Sequence, residues 1–72
     1  MKDTKENRIN FLKENNAYEA FVDNTGEDFD FYLDPGRMPY CEFIAYPFSW
    51  DKTPEGHYFW ESLNDEYFSM ID

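Results

Sequence analysis

Residues 53–71 read Thr-Pro-Glu-Gly-His-Tyr-Phe-Trp-Glu-Ser-Leu-Asn-Asp-Glu-Tyr-Phe-Ser-Met-Ile. Thr53 carries a side-chain oxygen able to accept from a first-turn N–H. Pro54 fits the first helical position, where its missing N–H costs nothing, and Glu55 suits the positive helix end. From there Trp60, Leu63, Tyr67, Met70 and Ile71 recur at i, i+3, i+7, i+10 and i+11. That spacing predicts an amphipathic helix of roughly four turns.

Upstream of this helix the signals are shorter. Thr4 is placed to cap a helix over residues 4–15, with Ile9 and Leu12 three apart and Phe11 beside them, and the pair Asn15-Asn16 breaks it. Tyr18, Phe21 and Val22 share a face at helical spacing in a second short helix that Asp23-Asn24-Thr25-Gly26 ends. In Asp28–Asp34, Phe29, Phe31 and Leu33 alternate at a spacing of two, which predicts a short strand or an extended segment stopped by Pro35-Gly36. Residues 40–50, the most apolar window, are bracketed by Pro39 and Pro47 and read as a short buried helix or an irregular core segment. The expected fold is therefore mainly α, in one domain over residues 1–72. It has a helical N-terminal segment, a central extended acidic segment, and a C-terminal helix that packs Trp60, Leu63 and Tyr67 against Ile9, Leu12 and Phe21. An α+β domain with a small sheet in residues 28–48 is the alternative.

The 72 residues include 16 Asp or Glu against 6 Lys or Arg, a formal net charge of −10. A chain this short has room for one small core and no elaborate enclosed site. Acidity of this degree often accompanies disorder, but eight Phe, six Tyr and two Trp supply enough apolar surface for a folded body. Charge is uneven along the chain. Residues 1–13 hold Lys2, Lys5, Arg8 and Lys13 against Asp3 and Glu6, while the 14 other acids in residues 14–72 face Arg37 and Lys52 alone. A single cysteine closes no intramolecular disulfide, no apolar run approaches a bilayer span, and no apolar stretch follows the charged start as a signal peptide would require. A reducing cytoplasm is the expected compartment. Nucleic acid and anionic membranes should be repelled, so the expected partner is a cationic protein surface.

Residues for catalysis are scarce. His57 is the sole histidine, with no nucleophile that spacing would pair to it, and it reads as a first-turn helix residue. Cys41 lacks a second cysteine for a metal pair and, in apolar surroundings, reads as a core thiol. Asp23 to Asp34 is rich in oxygen ligands, yet aligned with the helix-loop-helix calcium pattern it has Asp28 where glycine must turn the chain. No cofactor, metal or enzymatic activity is expected.

Carboxylates are the dominant chemistry. Glu61 and Asp65 stand four apart on the C-terminal helix, about 6 Å along its axis, and Asp28 and Asp30 two apart would stand about 6.6 Å apart in extended chain. Like charges at such spacing oppose folding slightly, so something other than stability should explain them where they cluster on one face. A chain of this length has an expected diameter of about 29 Å, over which duplex DNA presents about 17 phosphate charges. The candidate partner-binding set is Glu27, Asp28, Asp30, Asp34, Glu42, Asp51, Glu55, Glu61, Asp65 and Glu66.

The segment Trp50–Asn64, with Thr53-Pro54-Glu55-Gly56-His57 followed by aromatic residues and Leu63-Asn64, resembles a pattern in short phage-encoded proteins. Phe11–Phe21 resembles their upstream helical segment. The acidic stretch from Glu27 to Asp34 departs from the pattern, and the resemblance carries no catalytic residue. In size, charge and compactness the chain is also similar to small acidic phage proteins that mimic DNA. That similarity implies a protein of the bacterial cytoplasm that occupies the basic DNA-binding surface of a host protein, with the histone-like protein HU as the best single expectation. The alternative is a small adaptor or accessory protein, open to homodimer formation, that binds through an aromatic patch including Phe48, Trp50 or Tyr58.

Overall fold

The computed structural model describes residues 1–48 and 53–71. Five helices follow one another: α1 (Lys5–Glu14), α2 (Tyr18–Thr25), α3 (Phe29–Leu33), α4 (Ala45–Phe48) and α5 (Pro54–Met70), with one 3-10 turn, Gly26–Asp28, between α2 and α3. The body measures 31 × 26 × 19 Å with a radius of gyration of 11.0 Å. The fold is mainly α, and no strand occurs among the described residues. A sheet in residues 28–48 is thereby set aside.

Helix ends follow the local chemistry. Thr4 Oγ1 accepts from the Asn7 N–H at 3.0 Å and Thr53 Oγ1 from the Gly56 N–H at 3.1 Å, so both N-caps stand where a hydroxyl was available. At the end of α1, Asn16 takes a left-handed φ of 55°. The N–H of Asn16 then reaches the Lys13 carbonyl at 3.1 Å, and that of Ala17 reaches the Leu12 carbonyl at 2.8 Å. This pairing closes the last turn and points α2 back across α1. Gly26, at φ 59° and ψ −129°, ends α2 in a conformation few side chains tolerate.

The segment expected to be extended is helical. In α3 the core-facing residues are Phe29, Tyr32 and Leu33, at i, i+3 and i+4, whereas Phe31, part of the alternating pattern, lies on the surface. Helical spacing lets this short segment bury two large side chains together, and the Asp34 carbonyl ends it in a turn that accepts the N–H groups of Arg37 and Met38.

One core unites all layers. Phe21 lies against Tyr32, Phe43 and Trp60 at centroid distances of 6.4, 5.8 and 6.4 Å. Tyr67 meets Phe11 at 5.0 Å and Phe43 at 4.8 Å in edge-on geometry. The expected seam of Trp60, Leu63 and Tyr67 with Leu12 and Phe21 is present, while Ile9 is half-buried at its margin. Cys41 is exposed, so the core-thiol expectation is corrected. The core positions nearest it go to Phe43 and Ile44, which bury more apolar area than a thiol.

Candidate functional site

The surface charge is shaped by one cation that leaves it. Arg8 shares the inward face of α1 with Phe11 and Leu12, at i, i+3 and i+4, and its side chain is fully buried. Its Nε donates to Asp3 Oδ1 at 2.8 Å and one terminal nitrogen to Asp3 Oδ2 at 2.7 Å. Nη1 donates to the Tyr32 carbonyl at 2.8 Å, and Nη2 donates also to the Met38 carbonyl at 2.7 Å. The guanidinium carbon lies 4.6 Å from the centre of the Phe43 ring. The Tyr67 hydroxyl donates to Asp3 Oδ1 at 2.6 Å, tying α5 to the same carboxylate. Burial works to raise the Asp3 pKa, but the bonds from Arg8 and Tyr67 and the charge of Arg8 outweigh it and hold the carboxyl below its ordinary value. Burial, reinforced by the Asp3 charge, pushes the Tyr67 hydroxyl well above the usual phenol range.

Other cations are also engaged. Lys5 pairs with Asp30 at 2.5 Å, and Arg37 with Asp34 at 3.4 Å. The Lys13 ammonium lies 5.2 Å from the Tyr18 ring centre. Of the 16 acids, Asp3, Asp30 and Asp34 are paired and Asp51 and Asp72 lie outside the described residues, as does Trp50. Eleven carboxylates are left, all exposed and none with a cation against it among the described residues.

The candidate set therefore divides. Glu27 and Asp28 project from the 3-10 turn and Glu42 from the turn before α4, all exposed. Asp30 is neutralised by Lys5, and Asp34 accepts from the Gly36 N–H at 2.9 Å besides meeting Arg37. Glu55, Glu61, Asp65 and Glu66 all belong to α5, exposed. At ~100° per residue, Glu61 and Asp65 point away from the buried stripe of Trp60, Leu63 and Tyr67, whereas Glu55 and Glu66 lie on one flank.

Two helix faces combine carboxylates with a tyrosine. On α5, Tyr58, Glu61, Ser62 and Asp65 line a shallow cavity of about 210 Å³, and Tyr58 is 75% exposed. On α2, Tyr18, Glu19, Val22 and Asp23 line a second of about 230 Å³. Glu19 and Asp23 were missed as candidates, although their spacing of four repeats that of Glu61 and Asp65 and was the available signal.

Asp23–Asp34 runs as helix, 3-10 turn and helix, and among the described residues no three His, Cys, Asp or Glu side chains gather as metal ligands. His57 is exposed in the first turn of α5. Among the described residues no helix is long and apolar enough to cross a membrane. No family model matches the chain, and no curated protein or solved structure is similar to it.

Proposed function

We propose that this protein is an acidic DNA mimic, of the phage-encoded kind, that binds the basic DNA-binding surface of a bacterial host protein in the cytoplasm and blocks its access to DNA. The observation that carries the reading is the set of eleven exposed carboxylates with no cation against them among the described residues, on a body 31 Å long. The ionic pairs are spent elsewhere: one is turned inward at Arg8, and the Lys5 and Arg37 pairs neutralise two acids of the central segment. Duplex DNA would present about 18 charges over the same length. The carboxylate density is lower than that of DNA and spreads over several elements, so the resemblance is one of field more than of shape. Binding is non-enzymatic in this reading, and HU is the first partner to test.

Titration of the protein into purified HU, with and without competing duplex DNA, tests the proposal directly. Competition with DNA and a steep loss of affinity between low and moderate salt are expected. Binding to HU that leaves its DNA occupancy unchanged, or that ignores salt, would rule the mechanism out.

A second reading has an observation of its own. Phe31, Tyr40, Tyr46, Tyr58, Phe59 and Phe68 are large side chains left exposed, with Tyr40 and Phe68 in contact at 5.1 Å. An adaptor that docks through these rings would keep its partner at high salt and lose it on Tyr40→Ser with Phe68→Ser, which separates the two readings.

A further inference from the structure

The outward face of α5 is narrower in its demands than a diffuse negative field. Tyr58, Glu61, Ser62 and Asp65, at i, i+3, i+4 and i+7, line up on one side of the helix and border the shallow cavity of about 210 Å³. An exposed ring beside two carboxylates four residues apart offers a planar cation both stacking and ion pairing. The interior of the same molecule shows an arginine held by one carboxylate and one ring. Arg8 takes the Asp3 carboxylate along its edge and the Phe43 ring on its face, at 4.6 Å. A guanidinium is suited to this double contact, because it stacks on aromatic faces and pairs with carboxylates through a rigid fork, whereas an ammonium is a strongly hydrated point charge.

The α2 face offers a similar composition but a different state. Lys13 lies 5.2 Å from the centre of the Tyr18 ring, so the aromatic wall there already has its cation. Among the described residues no cation lies over Tyr58. A second copy of the chain is a poor occupant, since each copy carries a net charge of −10. Charge complementarity selects a basic partner, and the open ring selects its arginines.

We infer that the Tyr58–Glu61–Ser62–Asp65 face of α5 is the contact surface for an arginine side chain of the basic partner, held by stacking on Tyr58 and by the carboxylates of Glu61 and Asp65. The inference rests on the electrostatic reading above and assigns it a place and a preferred cation.

Fluorescent nona-arginine and nona-lysine peptides, titrated with the whole protein at low ionic strength, provide the test. The arginine peptide should bind about fivefold more tightly than the lysine peptide. Tyr58→Ala should abolish that preference and Tyr58→Phe should retain it; the ring is largely solvent-exposed, and circular dichroism checks that both variants stay folded. Glu61→Gln with Asp65→Asn should weaken the arginine peptide by roughly tenfold, clearly more than Glu19→Gln with Asp23→Asn, which removes the same charge from α2. Equal losses from the two double variants, or a preference that survives Tyr58→Ala, would overturn the assignment while leaving the electrostatic reading intact. If neither peptide binds, both fall.

Discussion

Asp3 and Arg8 form a two-pronged ion pair, at 2.8 and 2.7 Å, in which the guanidinium has no solvent exposure and the carboxylate keeps a small opening to water. Five residues apart in sequence, they join the segment before α1 to the helix itself. The Tyr67 hydroxyl on the same carboxylate, and the Tyr32 and Met38 carbonyls on the same guanidinium, extend the pair to α5, α3 and the turn after α3. Four of these five hydrogen bonds are donated by a single cation, and the fifth shares its carboxylate partner.

Removing one partner should be far more damaging than its surface counterpart. Asp3→Ala leaves Arg8 charged in the core, and Arg8→Ala strands two carbonyls as well as the carboxylate. Each should cost about 3–5 kcal/mol, against a total of roughly 4–11 kcal/mol for a domain of this length. Asp30→Ala, which breaks the exposed pair with Lys5, should change stability little. Urea denaturation of the three variants, followed by circular dichroism, checks the order.

The network should confine stability to a pH window. Asp3 titrates below its ordinary value of 3.8 when folded, so its contribution is present above that value and is lost as pH falls through the lower, folded one. Tyr67 titrates above 10.0 when folded, so its contribution is present below 10.0 and is lost as pH rises toward the higher, folded value. Melting temperature against pH should form a plateau with shoulders on both sides. Tyr67→Phe should flatten the alkaline shoulder, and a variant that keeps that shoulder unchanged would show that other groups cause it.

Gly26 should resist replacement despite having space. A Cβ added there would meet nothing within 4 Å, yet φ is +59° with ψ −129°. Gly26→Ala should therefore cost about 1–3 kcal/mol through backbone strain alone. Asn16→Gly, at φ 55°, should be nearly neutral because glycine adopts that conformation readily. Comparing the two denaturation midpoints separates conformational strain from packing.

Within the acidic candidates, engagement should govern effect. Glu27→Gln with Asp28→Asn removes two carboxylates that have no cation against them among the described residues, whereas Asp30→Asn with Asp34→Asn removes two that Lys5 and Arg37 already offset. The first pair should weaken binding to HU at low salt several-fold more than the second. Isothermal titration at two salt concentrations measures both. Equal effects would mean that net charge alone, and not local exposure, sets affinity.

Much of the architecture was legible because it was written in local chemistry. Thr4, Thr53-Pro54, the Asn15-Asn16 pair and Gly26 each mark a helix boundary by what a side chain or a positive φ can do, and Trp60, Leu63 and Tyr67 fix the inner face of α5 by period. Alternation misled at Phe29–Leu33, since five residues fit a period of two or of 3.6 and only burial distinguishes Phe29-Tyr32-Leu33 from Phe29-Phe31-Leu33. Arg8 entered only the charge balance of residues 1–13, although it stands three and four residues before Phe11 and Leu12 on the face that turns inward. Its acceptors come from positions up to 30 residues away, which no local pattern contains. The outward face of α5 was half visible: Glu61 and Asp65 by their spacing, but not the difference between Tyr58 and Tyr18, which depends on where Lys13 folds.

The Asp3–Tyr67 bond spans 64 positions. Synthesis makes Arg8 well before Tyr67, so the charge destined for the interior has to stay hydrated until α5 has followed. An N-terminal fragment of α1 to α3 would keep the arginine but lack Phe43, whose ring lies against it, and Tyr67, which bonds its carboxylate partner. Folding should accordingly be a single event, with loop closure between the segment before α1 and α5 setting its rate and no stable half-molecule along the way.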